Sequence, residues 1–313
     1  MNLSTSNATA LIRARGLTKT FGSRTAVDAI NFDVRDGEFF GFLGPNGAGK
    51  TTTMRMIAGV SPRTAGTLEI LGSDPDTDGP RIRGQLGVVH QQETLDMELS
   101  VRENLLVFGR FFGLAHKEIA ERTDQLLELF QLSDRAKDQV EPLSGGMKRR
   151  LSIARSLINA PRILMLDEPT TGLDPQARHL MWERLQVLLQ QGKSILLTTH
   201  FMDEAERLCN RLLVLDHGQK MTEGTPRELI AHNLEPDVVE VYGQGALALA
   251  DSPLKALAAR TEISGETVFF YTQDAKALLA ALTDYPQLRT LHRPANLEDL
   301  FLKLTGRQIR EDA

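Results

Sequence analysis

The segment from residue 44 to residue 51, Gly-Pro-Asn-Gly-Ala-Gly-Lys-Thr, most constrains what this chain can fold into. It matches the pattern G-x-x-x-x-G-K-[ST] in full, with an apolar segment before it and a helix-like run after it. Glycines allow backbone N–H groups to turn inward around phosphate oxygens, and the N-terminus of the following helix favours an anion. The pattern therefore predicts a strand–loop–helix unit that binds nucleotide phosphates, here called the phosphate loop.

Individual residues of the phosphate loop have distinct expected roles. Lys50 is expected to reach the β- and γ-phosphates, and the hydroxyl of Thr51 to bind Mg²⁺. A chance match in a chain of this length has odds on the order of one in a hundred, so an ordinary Gly-rich turn is disfavoured. The candidate ATP-binding residues of this segment are Gly44, Pro45, Asn46, Gly47, Ala48, Gly49, Lys50, Thr51 and Thr52.

Two adjacent carboxylates end an apolar run at 163–166. A Mg-nucleotide needs an acidic residue near the metal, and hydrolysis needs a group that orients or activates water. Asp167 is the candidate for the Mg²⁺ shell and Glu168 the candidate general base. Many strands end in acidic turns, so the pair gains its functional meaning from the phosphate loop upstream.

Composition places the chain among ordinary globular proteins. Its 313 residues are 41% hydrophobic and 25% charged, and its formal net charge is -5. A protein whose main partner was a nucleic acid would more often carry a basic surplus. The single cysteine, Cys209, excludes an internal disulfide framework. The N-terminus lacks the pattern of a secretory signal, and no run of 18 apolar residues predicts a transmembrane helix.

Alternating strand-like and helix-like segments predict an α/β domain over residues 11–232, with a helical subdomain at about 92–160. Residues 1–10 are expected to form a flexible tail. Residues 237–306 are expected to form a small α+β accessory domain after a boundary at 233–236, with Asn296 as a helix N-cap. The predicted strands are 29–34, 38–43, 86–90, 163–167 and 194–199, with a hairpin of 212–216 and 219–223; the predicted helices are 50–58, 116–130, 145–158 and 175–190.

The run Leu143-Ser144-Gly145-Gly146-Met147 resembles the signature loop of the ABC ATPase family. The resemblance implies that Ser144, Gly145 and Gly146 cover the γ-phosphate of a nucleotide held by a second subunit. Met147 stands where glutamine is usual. This departure affects the polar contact of that one side chain and leaves the hydroxyl and amide contacts in place.

Further positions match the family in order. Gln91 resembles the loop glutamine that touches Mg²⁺ and water and couples to a membrane partner, although His90 before it replaces the common proline. Asp174 resembles the residue of the loop that communicates across the dimer, and His200 resembles the γ-phosphate sensor. Phe21 falls where an aromatic ring stacks on adenine.

The resemblance runs from about Thr18 to Glu223, and residues 101–110 and 294–301 are similar to export ATPases of the nodulation-factor and antibiotic-resistance type. It implies a P-loop NTPase of ABC type with a mixed sheet and a helical subdomain. ATP and Mg²⁺ are the implied ligands, and a homodimer driving an integral membrane permease on a separate chain is the implied assembly. The expected location is the cytoplasmic face of the cell membrane. No nucleic acid is expected as a partner.

Two other functions remain possible at this point. A soluble ABC-type ATPase acting on nucleic acid or ribosomes often carries two cassettes or a long coiled-coil insertion, and this chain shows neither. A nucleotide-binding regulatory module without turnover would not need Asp167, Glu168 and His200 together. The hypothesis favoured by the sequence is the ATP-hydrolysing motor of an ABC exporter.

Overall fold

The structure is a computed structural model and describes residues 10–306. The chain divides between Glu223 and Gly224 into two compact units. Of the predicted N-terminal tail, residues 1–9 lie outside the described residues, and Ala10 is the first residue of a strand. Over the described range, no helix is both long and apolar enough to cross a membrane.

The first unit contains nine strands and seven α-helices within its described residues. The strands are β1 (Ala10–Phe21), β2 (Arg24–Arg35), β3 (Phe39–Leu43), β4 (Ala65–Ile70), β5 (Leu86–Val89), β6 (Ile163–Asp167), β7 (Ser194–Thr199), β8 (Arg211–Asp216) and β9 (Gln219–Gly224). The helices are α1 (Lys50–Ile57), α2 (Pro75–Arg83), α3 (Val101–Phe111), α4 (His116–Leu129), α5 (Gly145–Ser156), α6 (Pro175–Gln190) and α7 (Met202–Leu208).

The main sheet has the strand order β5-β6-β7-β3-β8-β9, and its neighbours from β5 to β8 are parallel. Strands β3, β6 and β7 are buried at every residue. A parallel strand covered on both faces is apolar throughout, which is why the continuous apolar runs predicted these strands correctly. The α/β fold of P-loop type is confirmed.

A second sheet, with the order β2-β1-β4, is antiparallel. Strands β1 and β4 were not among the predicted strands. Register shifts interrupt the pairing of β1 with both neighbours, and Gly16 in its middle has a φ of 58°. Such irregularities break the alternation of apolar and polar residues on which strand prediction depends.

The predicted hairpin joins β8 to β9 through His217 and Gly218. Both turn residues have positive φ, 48° and 79°, as a two-residue turn of type I′ requires. The turn also contacts the first strands, because the amide of Asp28 donates to the carbonyl of Gly218 at 2.8 Å. The hairpin therefore links the two sheets near the phosphate loop.

Helices α3, α4 and α5 pack on one another and form the predicted helical part of the first unit. Helix α3 begins at a capping box in which Ser100 and Glu103 satisfy each other's backbone amides. The apolar stripe of α4 faces the interior, with Ile119, Leu127 and the following Phe130 all buried. Helices α1, α4, α5 and α6 begin where the sequence predicts.

The second unit is a small α+β domain. Its described elements are α8 (Pro226–Asn233), β10 (Asp237–Tyr242), β11 (Arg260–Ser264), β12 (Thr267–Thr272), α9 (Lys276–Leu282), β13 (Arg289–Pro294) and α10 (Leu297–Thr305). The antiparallel sheet β11-β12-β10-β13 packs apolar side chains such as Val239 and Phe270 against Leu278 of α9. Asn296 caps α10 in a capping box with Asp299, as the sequence predicts.

Candidate active site

The carboxyl ends of three neighbouring strands bring the candidate residues to one edge of the main sheet. Leu43 at the end of β3 pairs with Thr199 at the end of β7, and Asp167 at the end of β6 pairs with Thr198. The amide of Gly44 donates to the carbonyl of Thr199 at 3.3 Å. The order of these strands places the phosphate loop beside the two carboxylates. Ligands of open parallel sheets bind at this edge.

Two glycines of the phosphate loop are required by close backbone approaches. A Cβ atom on Gly44 would lie 2.2 Å from the carbonyl oxygen of Leu215. Gly49 has a φ of 102°, and a Cβ atom there would lie 2.6 Å from the carbonyl oxygen of Ala26. Other residue types would clash at both places, so the glycines shape the backbone cradle that precedes α1.

A cleft of about 550 Å³ opens over the phosphate loop. Phe21 lies at its rim with 54% of its surface exposed, and Nζ of Lys19 lies 4.8 Å from the centre of its ring. Arg24 and Ala26 also line the cleft, and neither was predicted from the sequence. The lining residues are Phe21, Arg24, Ala26, Pro45, Asn46, Gly47, Ala48, Gly49, Lys50, Thr51, Thr52, Gln91 and Glu168.

Lys50 is held inside the phosphate loop. Its Nζ donates to the carbonyls of Gly44 at 2.7 Å and Pro45 at 3.1 Å, and lies 3.2 Å from Oε1 of Glu168. Burial lowers the pKa of Lys50, and the charge of Glu168 opposes this shift. The ammonium is therefore positioned at the base of the cleft, where phosphate oxygens would take over its contacts.

Asp167 and Thr51 form the candidate metal-binding pair. The Thr51 hydroxyl donates to Oδ1 of Asp167 at 3.1 Å, and the Thr198 hydroxyl donates to the same oxygen. Hydroxyl and carboxylate oxygens are the ligands that Mg²⁺ prefers, usually together with substrate phosphates and water. The donor set therefore fits Mg²⁺ held at the end of β6.

Glu168 is the centre of the polar network at the cleft. Its Oε2 accepts hydrogen bonds from Nε2 of Gln91 at 3.2 Å and from the hydroxyl of Thr171 at 3.4 Å. Nδ1 of His200 lies 3.3 Å from the same oxygen. Burial alone would raise the pKa of Glu168, but His200 and the ammonium of Lys50 outweigh it and lower the pKa to about 2.

The backbone of Glu168 adopts an unusual conformation. Its φ is 46°, in the left-handed region that a glutamate seldom occupies. Its amide donates to both the carbonyl and the hydroxyl oxygen of Thr198, each at 3.1 Å. A strained backbone of this kind persists where surrounding contacts fix it, and it is common at functional sites.

The signature-loop residues lie away from the cleft. Among the described residues that line the cleft, none belongs to the signature loop, and Asp174 is also absent; the signature-loop residues are Ser144, Gly145 and Gly146. Ser144 caps α5 by accepting from the amide of Met147 at 3.3 Å, and Asp174 caps α6 by accepting from the amide of Ala177 at 2.9 Å. Inside one chain these two side chains therefore serve as helix caps on exposed segments.

Two buried charged residues close to the carboxylates carry no sequence signal, because Arg and Glu inside helices are usually exposed. Arg149 of α5 is 5% exposed and Glu204 of α7 is fully buried. Oε1 of Glu204 accepts from the hydroxyl of Thr170 at 2.9 Å and from Nε1 of Trp182 at 3.1 Å. Burial raises the pKa of the Glu204 carboxyl.

The chain is similar to known proteins over nearly all of its length. A family model described as "ABC transporter" matches residues 27–171, and one described as "Nodulation factor export protein NodI, C-terminal domain" matches residues 247–306. Nod factor export ATP-binding protein I of Cupriavidus metallidurans is 55% identical over 303 residues, or 97% of this chain and 100% of that one. The corresponding protein of Ralstonia nicotianae is 53% identical over 97% of this chain and 96% of that one.

One solved structure of similar fold holds the products of ATP hydrolysis. A dimeric post-hydrolysis ATP-binding cassette bound to ADP and Pi is 28% identical, with a TM-score of 0.62 over 68% of this chain and 98% of that one. The fold and the site define an ATPase of the ATP-binding cassette class. The chain belongs to the family of export ATP-binding proteins of ABC transporters. It is an ATP-binding and ATP-hydrolysing motor subunit of an exporter.

Proposed function

We propose that this chain hydrolyses Mg-ATP in a site completed by a second copy, and that closure of the two copies drives a permease on a separate chain. The observation that carries the proposal is the separation between cleft and signature loop. Lys50, Gln91 and His200 converge on Glu168, whereas Ser144 is exposed and outside the cleft. A head-to-tail partner would place its own Ser144 over the open side of the cleft.

The residues of the cleft then have the following roles. The phosphate loop and Lys50 bind the phosphates, and Phe21 packs against the base. Thr51, Asp167 and Gln91 would hold Mg²⁺, which would supply charge neutralisation on the phosphates. Glu168 accepts the proton of the attacking water, and its contacts with Lys50 and His200 keep the carboxyl ionised beforehand.

His200 and Asp174 complete the proposed machinery. His200 contacts Glu168 in this structure and would also face the γ-phosphate, so it is placed to sense whether that group is present. Asp174 is exposed at the start of α6, where it would contact the second copy. These assignments follow the family resemblance position by position.

The proposal also includes a membrane partner. The named relatives are export proteins, and within residues 10–306 no helix is suited to cross a membrane. A groove of about 330 Å³ lies beside Gln91 and includes Met54, Val60 and His90 in its lining. We propose that a permease docks there and holds the chain at the cytoplasmic face of the membrane. Nod factor is the cargo in the names of the relatives, and it is the first cargo to test.

A complementation experiment tests the shared site. Lys50→Ala disables the phosphate loop, and Ser144→Arg blocks the signature loop, so each variant alone should lack ATPase activity. Mixing the two should restore activity, because each mixed dimer then holds one intact pair of Lys50 and Ser144. No recovery on mixing, with mixed dimers demonstrated by differential tags, would reject the shared site.

Pull-down from detergent-solubilised native membranes tests the partner. The tagged chain should co-purify with a multi-spanning membrane protein at comparable abundance. The chain with His90 and Val60 both replaced by Asp, which places charge in the groove, should lose that partner and keep ATP binding. Recovery of ribosomal or nucleic-acid-binding proteins alone would instead support the soluble alternative.

A further inference from the structure

Arg149 is a buried cation on α5 whose guanidinium donates to three backbone carbonyls. Nε donates to the carbonyl of Pro169 at 2.8 Å, and Nη2 to that of Asp167 at 2.9 Å. Nη1 donates to the carbonyl of His90 at 2.5 Å. With 5% of its surface exposed, the residue is shielded from solvent, and these carbonyls and Glu93, whose Oε1 lies 3.9 Å from Nη1, compensate for burying its charge.

The three carbonyls have a common feature in their position. Asp167 and Pro169 lie immediately before and after Glu168, and His90 lies immediately before Gln91. Glu168 and Gln91 in turn hydrogen-bond each other at 3.2 Å. One guanidinium therefore holds the backbone on both sides of Glu168, the proposed base. It also holds the backbone immediately before Gln91.

The rigidity of the guanidinium matters for this arrangement. Its donors are coplanar and lie at fixed angles, so three carbonyls bound to it are held in one relation to each other. Lysine, with one ammonium on a flexible stem, would not reproduce that relation. Glu168 also has a left-handed φ of 46°, a conformation that neighbouring contacts must hold in place.

We propose that Arg149 is a positioning residue for ATP hydrolysis, which holds Glu168 and Gln91 in their mutual contact without touching the nucleotide. This rests on the proposed role of Glu168 as the base. A displacement of about 1 Å at a reacting group can lower a rate about a hundredfold, so loss of the guanidinium is expected to affect turnover strongly. Nucleotide binding depends on the phosphate loop and is expected to remain.

The test compares Arg149→Gln and Arg149→Lys with Arg150→Gln. Arg150 is the matched control, since it lies on the same helix and donates to the carbonyl of Phe130 at 2.9 Å, away from Glu168. Each variant is measured for kcat, for the Kd of ATP and for Tm. We expect kcat to fall about ten- to a hundredfold in Arg149→Gln, less in Arg149→Lys and less than about threefold in Arg150→Gln. The Kd of ATP is expected to stay within about threefold of wild type.

A second measurement separates positioning from general stabilisation. When Gln91→Ala and Arg149→Gln are combined, the fall in kcat should be smaller than the product of the two single effects. Both substitutions act on the placement of Glu168. Wild-type kcat in both Arg149 variants would overturn the proposal. It would also be overturned if ATP affinity fell by as large a factor as kcat and Tm fell as well. Multiplicative effects of the two substitutions would do so as well. Absence of ATPase activity in the wild-type chain would instead refute the proposed function itself.

Discussion

The ammonium nitrogen of Lys50 lies 3.2 Å from Oε1 of Glu168, in an ion pair whose side chains are only 4% and 6% exposed. This contact joins the phosphate loop to the proposed general base. Removing one member of a buried pair leaves the other charge uncompensated, which is costly. Substitutions at the two positions should nevertheless affect different steps, because only Lys50 is placed to bind phosphate.

Glu168→Gln should abolish turnover while preserving ATP binding. The amide keeps the shape and the contact with Gln91 but cannot accept the proton of water, so we expect kcat to fall at least about a hundredfold. The variant should also accumulate as an ATP-bound dimer on size-exclusion chromatography. Wild-type turnover would remove Glu168 from its proposed role.

Lys50→Ala should weaken nucleotide binding instead. The substitution removes the ammonium that would pair with phosphate oxygens, and a charge-assisted contact of this kind contributes about 1.5–3 kcal/mol. We expect the Kd of ATP, measured by isothermal titration calorimetry, to rise about tenfold or more. Lys19→Ala is the control, since the Lys19 ammonium contacts the ring of Phe21 and does not line the cleft, and it should change the Kd much less. Unchanged affinity in Lys50→Ala would contradict the phosphate-loop assignment.

The stability contribution of Glu168 should depend on pH in an acidic window. Its pKa is lowered from an ordinary 4.5 to about 2, so the folded chain binds the proton less readily than the unfolded chain. The contribution is therefore present above pH 4.5 and is lost as the pH falls from 4.5 towards 2. The Tm difference between wild type and Glu168→Gln should shrink as the pH falls below 4.5. A constant difference down to pH 3 would contradict the lowered pKa.

The contact of Glu204 with Trp182 should be visible by fluorescence, since Trp182 is the single tryptophan of the chain. Glu204→Ala leaves the indole N–H and the Thr170 hydroxyl without their acceptor, at a cost of about 1–3 kcal/mol for each buried donor. We expect a lower Tm and a shifted emission maximum. Glu204→Gln keeps an oxygen acceptor and should show smaller changes, and replacement of the exposed Glu183 by Ala should show none. An unshifted spectrum in Glu204→Ala would show that the contact is absent in solution.

The second unit allows a separate stability test. The side chain of Asn296 accepts from the amides of Glu298 at 3.0 Å and Asp299 at 3.1 Å, so Asn296→Ala should destabilise α10 by about 1 kcal/mol. Proteolysis of the second unit should accelerate accordingly while ATP binding is retained. Glu298→Ala, at an exposed position of the same turn, is the control. Equal proteolysis rates in both variants would argue against the cap.

The local features of this protein were set by its sequence alone. The phosphate loop was identified because its glycines and Lys50 act through a contiguous backbone turn, and a full pattern match leaves little room for another structure. Strands β6 and β7 and helix α6 have the predicted bounds, because continuous apolar runs and a proline after Asp174 mark buried strands and a helix start. The hairpin of β8 and β9 was predicted for the same kind of local reason.

Contacts between distant segments were decided only by the tertiary structure. Strands β1 and β4 were missed because bulges disrupt their alternation and because their pairing is long-range. Arg149 and Glu204 lie in ordinary helices, and only burial against the segment after β6 reveals their hydrogen bonds. The network around Glu168 likewise forms because parallel strands end at one edge of the sheet. Lys50, Gln91 and His200 are distant in the sequence, and only the folding of the chain brings them to that carboxylate.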